Sequence, residues 1–196
     1  MLLELRAEIA AAAARLIAED GADYGTAKRK AARLVLGDKP ARPEQLPANE
    51  QVEEQVRAYL ALFQGDVQPA RLQRLREVAL EVMQMLGGYA VFITGSVLNG
   101  TAGAHDDIRL QLFADSAKEV EIFLVNQKLQ IELSESPHFR GPRFGEVETV
   151  SFMWRQEGVH VELYDLDDLR GARKTRADGT LARADGDQLR ALMEAA

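Results

Sequence analysis

YAVFITGSVLNGTAGAHDDIRLQLF, residues 89–113, is the stretch on which the reading of this chain turns. An apolar run from Tyr89 to Thr94 stops at Gly95-Ser96, a small-residue loop follows, and Asp106-Asp107 opens a second run. In that second run Ile108, Leu110 and Leu112 alternate with Asp107, Arg109 and Gln111, the period of a strand with one buried face. Glycine lets a backbone approach a phosphate closely, and a serine hydroxyl with successive N–H groups can bond its oxygens. A carboxylate on the next strand could hold Mg²⁺ against the same phosphates. The residues alone leave two readings open, a structural turn and a ligand loop. A Walker phosphate loop is excluded because no Gly-Lys-Ser/Thr follows, and the spacing fails the Rossmann fingerprint.

Composition narrows the classes. At 196 residues, with 46% hydrophobic and 28% charged residues, the chain suits a globular protein that buries a real core. No apolar run approaches the roughly 18–20 residues of a membrane span. The opening MLLELRAEIAAAAARL carries Glu4 and Glu8 within its apolar stretch and lacks a basic leader, so a cytoplasmic location is expected. Without cysteine there is no disulfide, thiol nucleophile or zinc–thiolate site. The net charge of −7 argues against broad, non-specific nucleic-acid binding. Local basic clusters at Lys28, Arg29, Lys30 and Arg33, and at Arg170, Arg173, Lys174 and Arg176, read as solvated faces.

An all-helical region is expected over 1–87, an α/β domain over 88–170, and a loose segment with a short helix over 171–196, an α+β chain. Leu2, Leu5, Ile9, Leu16 and Ile17 trace one helical stripe. Thr26 and Asn49 are candidate N-caps, Gly37 a helix stop, and Gly87-Gly88 the end of the last helix before the sheet. Ser116-Ala-Lys-Glu119 predicts a capped helix to about Lys128. Strands are expected near 129–134, 147–156 and 159–165, with a tight hairpin at Gly158.

The opening stretch resembles the signature of the nucleotidyltransferase superfamily that includes DNA polymerase beta: an apolar strand, Gly-Ser, a loop, then Asp-x-Asp. The likeness runs through Phe92-Ile93-Thr94-Gly95-Ser96, Gly100-Thr101-Ala102 and Asp107-Ile108-x-Leu110, and covers about residues 88–165. It implies a mixed sheet with flanking helices, with Gly95, Ser96 and Thr101 toward nucleotide phosphates. Asp107 would ligate Mg²⁺, and the third acid would be Glu162 in VHVELYDL, with Asp165 as its substitute. The stretches AKRKAARLVLG and DDLRGA are also similar to those of small proteobacterial proteins, a likeness that implies no activity.

One residue departs from the pattern. Arg109 stands where the second aspartate belongs, and a guanidinium cannot ligate a cation. Arg109 is expected to replace the metal by bridging Asp107 and Glu162. Each opposite-charge contact at about 4 Å is worth about 4 kcal/mol at an effective dielectric of about 20, before desolvation. The resulting reading is a catalytically impaired module that binds a nucleotide or a protein, with no cofactor required. An active transferase using Asp107 and Glu162 with Mg²⁺ and a nucleoside triphosphate is the second reading. The third is an interaction protein that pairs through its N-terminal helices, with itself or a partner. His160 shares a strand face with Glu162 and borders the expected pocket, whereas His105 reads as a loop residue.

Overall fold

The structure, a computed structural model, describes residues 1–172, 175–176 and 179–196; Arg173 and Lys174 of the second basic cluster lie outside them. The chain is α+β and packs into two units, Met1–Leu72 with Gly100–Asp106, and Gln73–Asn99 with Asp107–Ala196. Among the described residues no helix is long and apolar enough to cross a membrane.

The first unit is built on α1 (Leu2–Asp20), α2 (Tyr24–Leu36) and α3 (Asn49–Phe63). Ile9, Ala10, Ala13 and Ala14 of α1 meet Ala27, Ala31 and Ala32 of α2 and Val52, Val56 and Leu60 of α3 in one buried cluster. Small side chains at the seam let helix backbones approach closely, so the alanines of α1 and α2 form much of the contact. The caps differ from the sequence expectation. Asp23, not Thr26, caps α2, its carboxylate accepting from the Thr26 amide at 2.9 Å. Asn49 is already helical, and Gln51 Oε1 instead accepts from the Ala48 amide at 2.9 Å. Either residue type can satisfy a free helix-end group, and which one does depends on where the chain enters the helix.

Helix α4 (Gln68–Met85) carries the chain from one unit to the other, so the division falls inside it rather than at Gly87-Gly88. The second unit continues with β1 (Ala90–Thr94), α5 (Gly95–Asn99), β2 (Ile108–Ala114), α6 (Ala117–Asn126), β3 (Glu132–Pro137), β4 (Glu146–Trp154) and β5 (Glu157–Asp165). α7 (Leu169–Ala172) and α8 (Gly186–Glu194) follow. The strands form one mixed sheet in the order β1-β2-β5-β4-β3, in which only β2 and β5 run parallel. Ser116 caps α6 as its sequence predicts. The outer edge of β1 is covered by Ala184, which exchanges backbone hydrogen bonds with Ile93 at 2.8 and 3.1 Å.

The alternation in β2 sets the two faces of the sheet. Ile108, Leu110 and Leu112 are fully buried with Val159 and Val161 of β5 and Val150 of β4. The opposite face carries Arg109, Gln111 and Phe113 beside His160, Glu162 and Tyr164. The β4–β5 hairpin does not turn at Gly158. Trp154 pairs with Glu157, leaving Arg155 and Gln156 as a two-residue loop at φ 51° and 67°. Two positive φ values at the loop match the right-handed twist of the strands, so the turn forms without the glycine that usually marks it.

Beside the sheet, Glu148 of β4 and Glu121 of α6 form a carboxyl pair. Glu148 Oε1 is buried and has no hydrogen-bond donor among the described residues. The bond to Glu121 raises the Glu148 carboxyl above the usual range, and its counterpart lowers Glu121, where Lys118 at 3.0 Å helps. A carboxyl held protonated in the fold contributes stability at low pH that is lost as pH rises through its raised value. Glu121, lowered, acts in the opposite sense, so it is the Glu148 contribution to thermal stability that is expected to decline as pH climbs out of the ordinary carboxylate range of about 4–5. Glu148→Gln, which keeps a donor facing Glu121 at every pH, should flatten that decline in melts followed by circular dichroism.

Candidate functional site

The Gly-Ser segment is anchored from below. Arg76 of α4 is buried and donates through Nε and Nη to the carbonyls of Val97 and Leu98 at 2.9 Å each. These are carbonyls that so short a helix as α5 leaves without a partner, and a guanidinium fork satisfies both at once. Burial pushes Arg76 below the usual guanidinium range. Gly95 opens α5 at φ 74°, a conformation that side chains with a Cβ avoid, and it is exposed. A Cβ there would meet Cδ of Arg109 at 3.9 Å, so the Arg109 stem runs past this turn.

The strand register decides which of the expected site residues meet. Thr94 of β1 pairs with Arg109, and Arg109 pairs with His160 of β5. Glu162 pairs with Gln111, four residues along from Asp107, which amounts to about 13 Å of strand. Asp107 and Glu162 are therefore not brought together, and the Arg109 bridge between them does not form. Asp107 Oδ2 instead bonds His160 Nε2 at 2.8 Å. Glu162 accepts from Gln111 Nε2 and from the Tyr164 hydroxyl, both at 2.9 Å. Arg109 is exposed and makes no ion pair among the described residues. As a Mg²⁺ pair, Asp107 and Glu162 do not fit: one is engaged by an imidazole, the other by two donors at the far end of the strands. Among the described residues no group of three or more His, Asp or Glu is arranged to hold a metal ion.

The loop after α5 belongs to the first unit. Thr101 is buried there, and Gln68 Nε2 of α4 donates to the carbonyls of Gly100 and Ala102 at 3.1 and 2.9 Å. Asp106 turns its carboxylate onto the Gly103 amide at 2.8 Å. His105 Nε2 bonds the Glu19 carbonyl at 3.0 Å, over Gly21, where a Cβ would lie 2.8 Å from His105 Cβ. These residues hold the loop in shape.

Two sets of residues that sequence reasoning did not assemble stand on the polar sheet face. Ser151 of β4 pairs with His160, and its Oγ lies 2.7 Å from His160 Nδ1. Ser151 of β4, His160 of β5 and Asp107 just before β2 thus form a hydrogen-bonded row, opening on a cleft of about 670 Å³. Gly158 is needed beneath it, because a Cβ there would stand 2.6 Å from Asp107 Cγ. Further along the face, Arg183 donates to Gln111 Oε1 at 2.5 Å and stacks on Phe139 with its guanidinium 4.1 Å from the ring centre. Burial, then the Glu162 charge, raises the Tyr164 phenol well above its ordinary range. Burial also depresses Arg183, opposed by Tyr164 and Glu162. Glu162 is thus part of a structural network tied to the aromatic cluster of Phe113, Tyr164 and Phe139.

No family model matches the chain, and no curated protein matches it in sequence.

The Gly158 contact yields a direct check. Gly158→Ala should push the half-exposed Asp107 carboxylate off His160 and cost about 0–1 kcal/mol, the worth of an exposed ion pair. In an Asp107→Ala background the same change should be neutral or stabilising, because a strand glycine itself costs about 0.5–1 kcal/mol. Urea unfolding of the four proteins of this cycle measures the coupling.

Proposed function

We propose that the chain is a nucleotidyltransferase-like module that holds nucleotide phosphates at Gly95-Ser96 and Arg109 and does not carry out metal-dependent transfer. The observation that carries this reading is the Arg109–His160 pairing next to Asp107. In the superfamily that the Gly-Ser and Asp107 pattern resembles, three acids hold cations against the phosphates. Here the second position is Arg109, and the β5 residue beside it is His160. His160 engages Asp107, the first acid of the pattern. A site with an exposed guanidinium beside a glycine turn attracts phosphate oxygens directly, where three carboxylates would repel them without a metal. The arrangement also favours a mixed sheet of this kind, with a strand leading into Gly95-Ser96 and an antiparallel neighbour bearing Arg109. An active two-carboxylate transferase draws no support from Asp107 and Glu162, given their offset.

Calorimetric titration with nucleoside triphosphates in EDTA tests this. Binding should persist without divalent metal and gain little when Mg²⁺ is added. Arg109→Ala should weaken it at least about tenfold, the loss of a charge-assisted hydrogen bond worth about 1.5–3 kcal/mol. Absence of triphosphate binding, or sustained Asp107-dependent transfer from a labelled nucleotide, overturns the reading.

A further inference from the structure

We propose that Ser151 is a nucleophile, activated by His160 and positioned through Asp107, that takes the acyl group of a small apolar carboxylic ester. This goes beyond phosphate binding at Gly95-Ser96 and does not rest on it.

The hydrogen-bond row fixes the direction of proton transfer. A carboxylate can only accept, so the 2.8 Å contact between Asp107 Oδ2 and His160 Nε2 requires the proton on Nε2. In the neutral ring Nδ1 then carries the lone pair. The Ser151 hydroxyl, 2.7 Å from Nδ1, must donate to it. A serine O–H directed at an imidazole base that a carboxylate holds in one tautomer is the arrangement of a serine nucleophile. Such sites recur on unrelated folds and are recognised by geometry, not chain order. The ring nitrogens are used in the reverse sense from the best-known serine proteases, but the proton path is the same.

Three further features favour a working site over a chance row. Ser151 and His160 are direct cross-strand partners, and Asp107, one residue before β2, reaches His160 at 2.8 Å. Gly158 keeps the space that the Asp107 carboxylate occupies. The row opens on the cleft of about 670 Å³, a size that small-molecule sites share. Leu129, Ile131 and Met153 line that cleft and suit an apolar acyl group. Lys128 at its margin holds φ 62°, a conformation uncommon for a residue with a side chain. His160 keeps 28% and Asp107 49% of its side-chain surface open to solvent.

In the step itself, Ser151 Oγ bonds the carbonyl carbon of the ester while its proton passes to His160 Nδ1. The ester C–O bond then breaks, and the leaving alkoxide takes that proton and departs as the alcohol. Ser151 is left acylated. Atoms and charge balance, and no oxidant, reductant or metal is needed.

The test uses the full chain with a fluorophosphonate probe, in which Oγ displaces fluoride from phosphorus, followed by peptide mapping. One adduct on Ser151 is expected. Ser151→Ala should abolish it, and His160→Gln should slow labelling about 100-fold or more. An unlabelled wild type overturns the proposal, as does an adduct on another serine. The wild-type map decides even if Ser151→Ala fails to fold. Imidazole ¹⁵N shifts of the labelled protein supply a second readout. His160 should carry its proton on Nε2 in the wild type and lose that preference in Asp107→Asn; an unchanged tautomer removes Asp107 from the mechanism.

Discussion

The two-residue loop at Arg155–Gln156 is the constraint from which the arrangement of the sheet's polar face follows. It pairs Trp154 with Glu157, and so Ser151 with His160 and Met153 with Gly158. A slip of one residue would turn every side chain of β5 to the other face, sending His160 and Glu162 into the core and Val159 and Val161 into solvent. Burying those valines is worth about 1.5–3 kcal/mol each, so the apolar face enforces the register that the polar face uses. The parallel β2–β5 pairing then brings His160 beside Arg109. Gly158 leaves room for Asp107 to reach across and complete the row.

Along this face the chemistry grades from charged to aromatic. At one end Asp107, Arg109, His160 and Ser151 are within reach of solvent. In the middle Gln111 and Glu162 exchange a hydrogen bond, and Gln111 is buried. At the far end Phe113 stacks on Tyr164 with ring centres 5.4 Å apart. Glu162 serves the buried end, where an unpaired carboxylate would be costly and two donors satisfy it. Asp107 serves the open end. The two acids share a face and alternate as a metal pair would, yet their neighbours give them separate work.

Much of the second unit was legible because period-two alternation and capping chemistry are local. Ile108, Leu110 and Leu112 marked the buried side of β2, and Ser116 marked the start of α6. The helix starts at Asp23 and Ala48 were misread by one or more residues, since several neighbouring side chains could have capped each helix. The hairpin was misread for a related reason. Gly158 was the only glycine near, and positive φ at Arg155 and Gln156 leaves no compositional mark. With the turn assigned to Arg155–Gln156, the register alone would have set Ser151 opposite His160.

The sequence by itself determined the α+β class, the strand that runs into Gly95-Ser96, and the placing of Arg109 two residues after Asp107. Those features are carried by residue type and spacing along the chain. Only the tertiary structure decided which acid meets which partner. The offset between β2 and β5 is a property of two strands some fifty residues apart, set by how their apolar faces pack. It gave Asp107 to His160 and Glu162 to Gln111 and Tyr164, leaving Arg109 free of both.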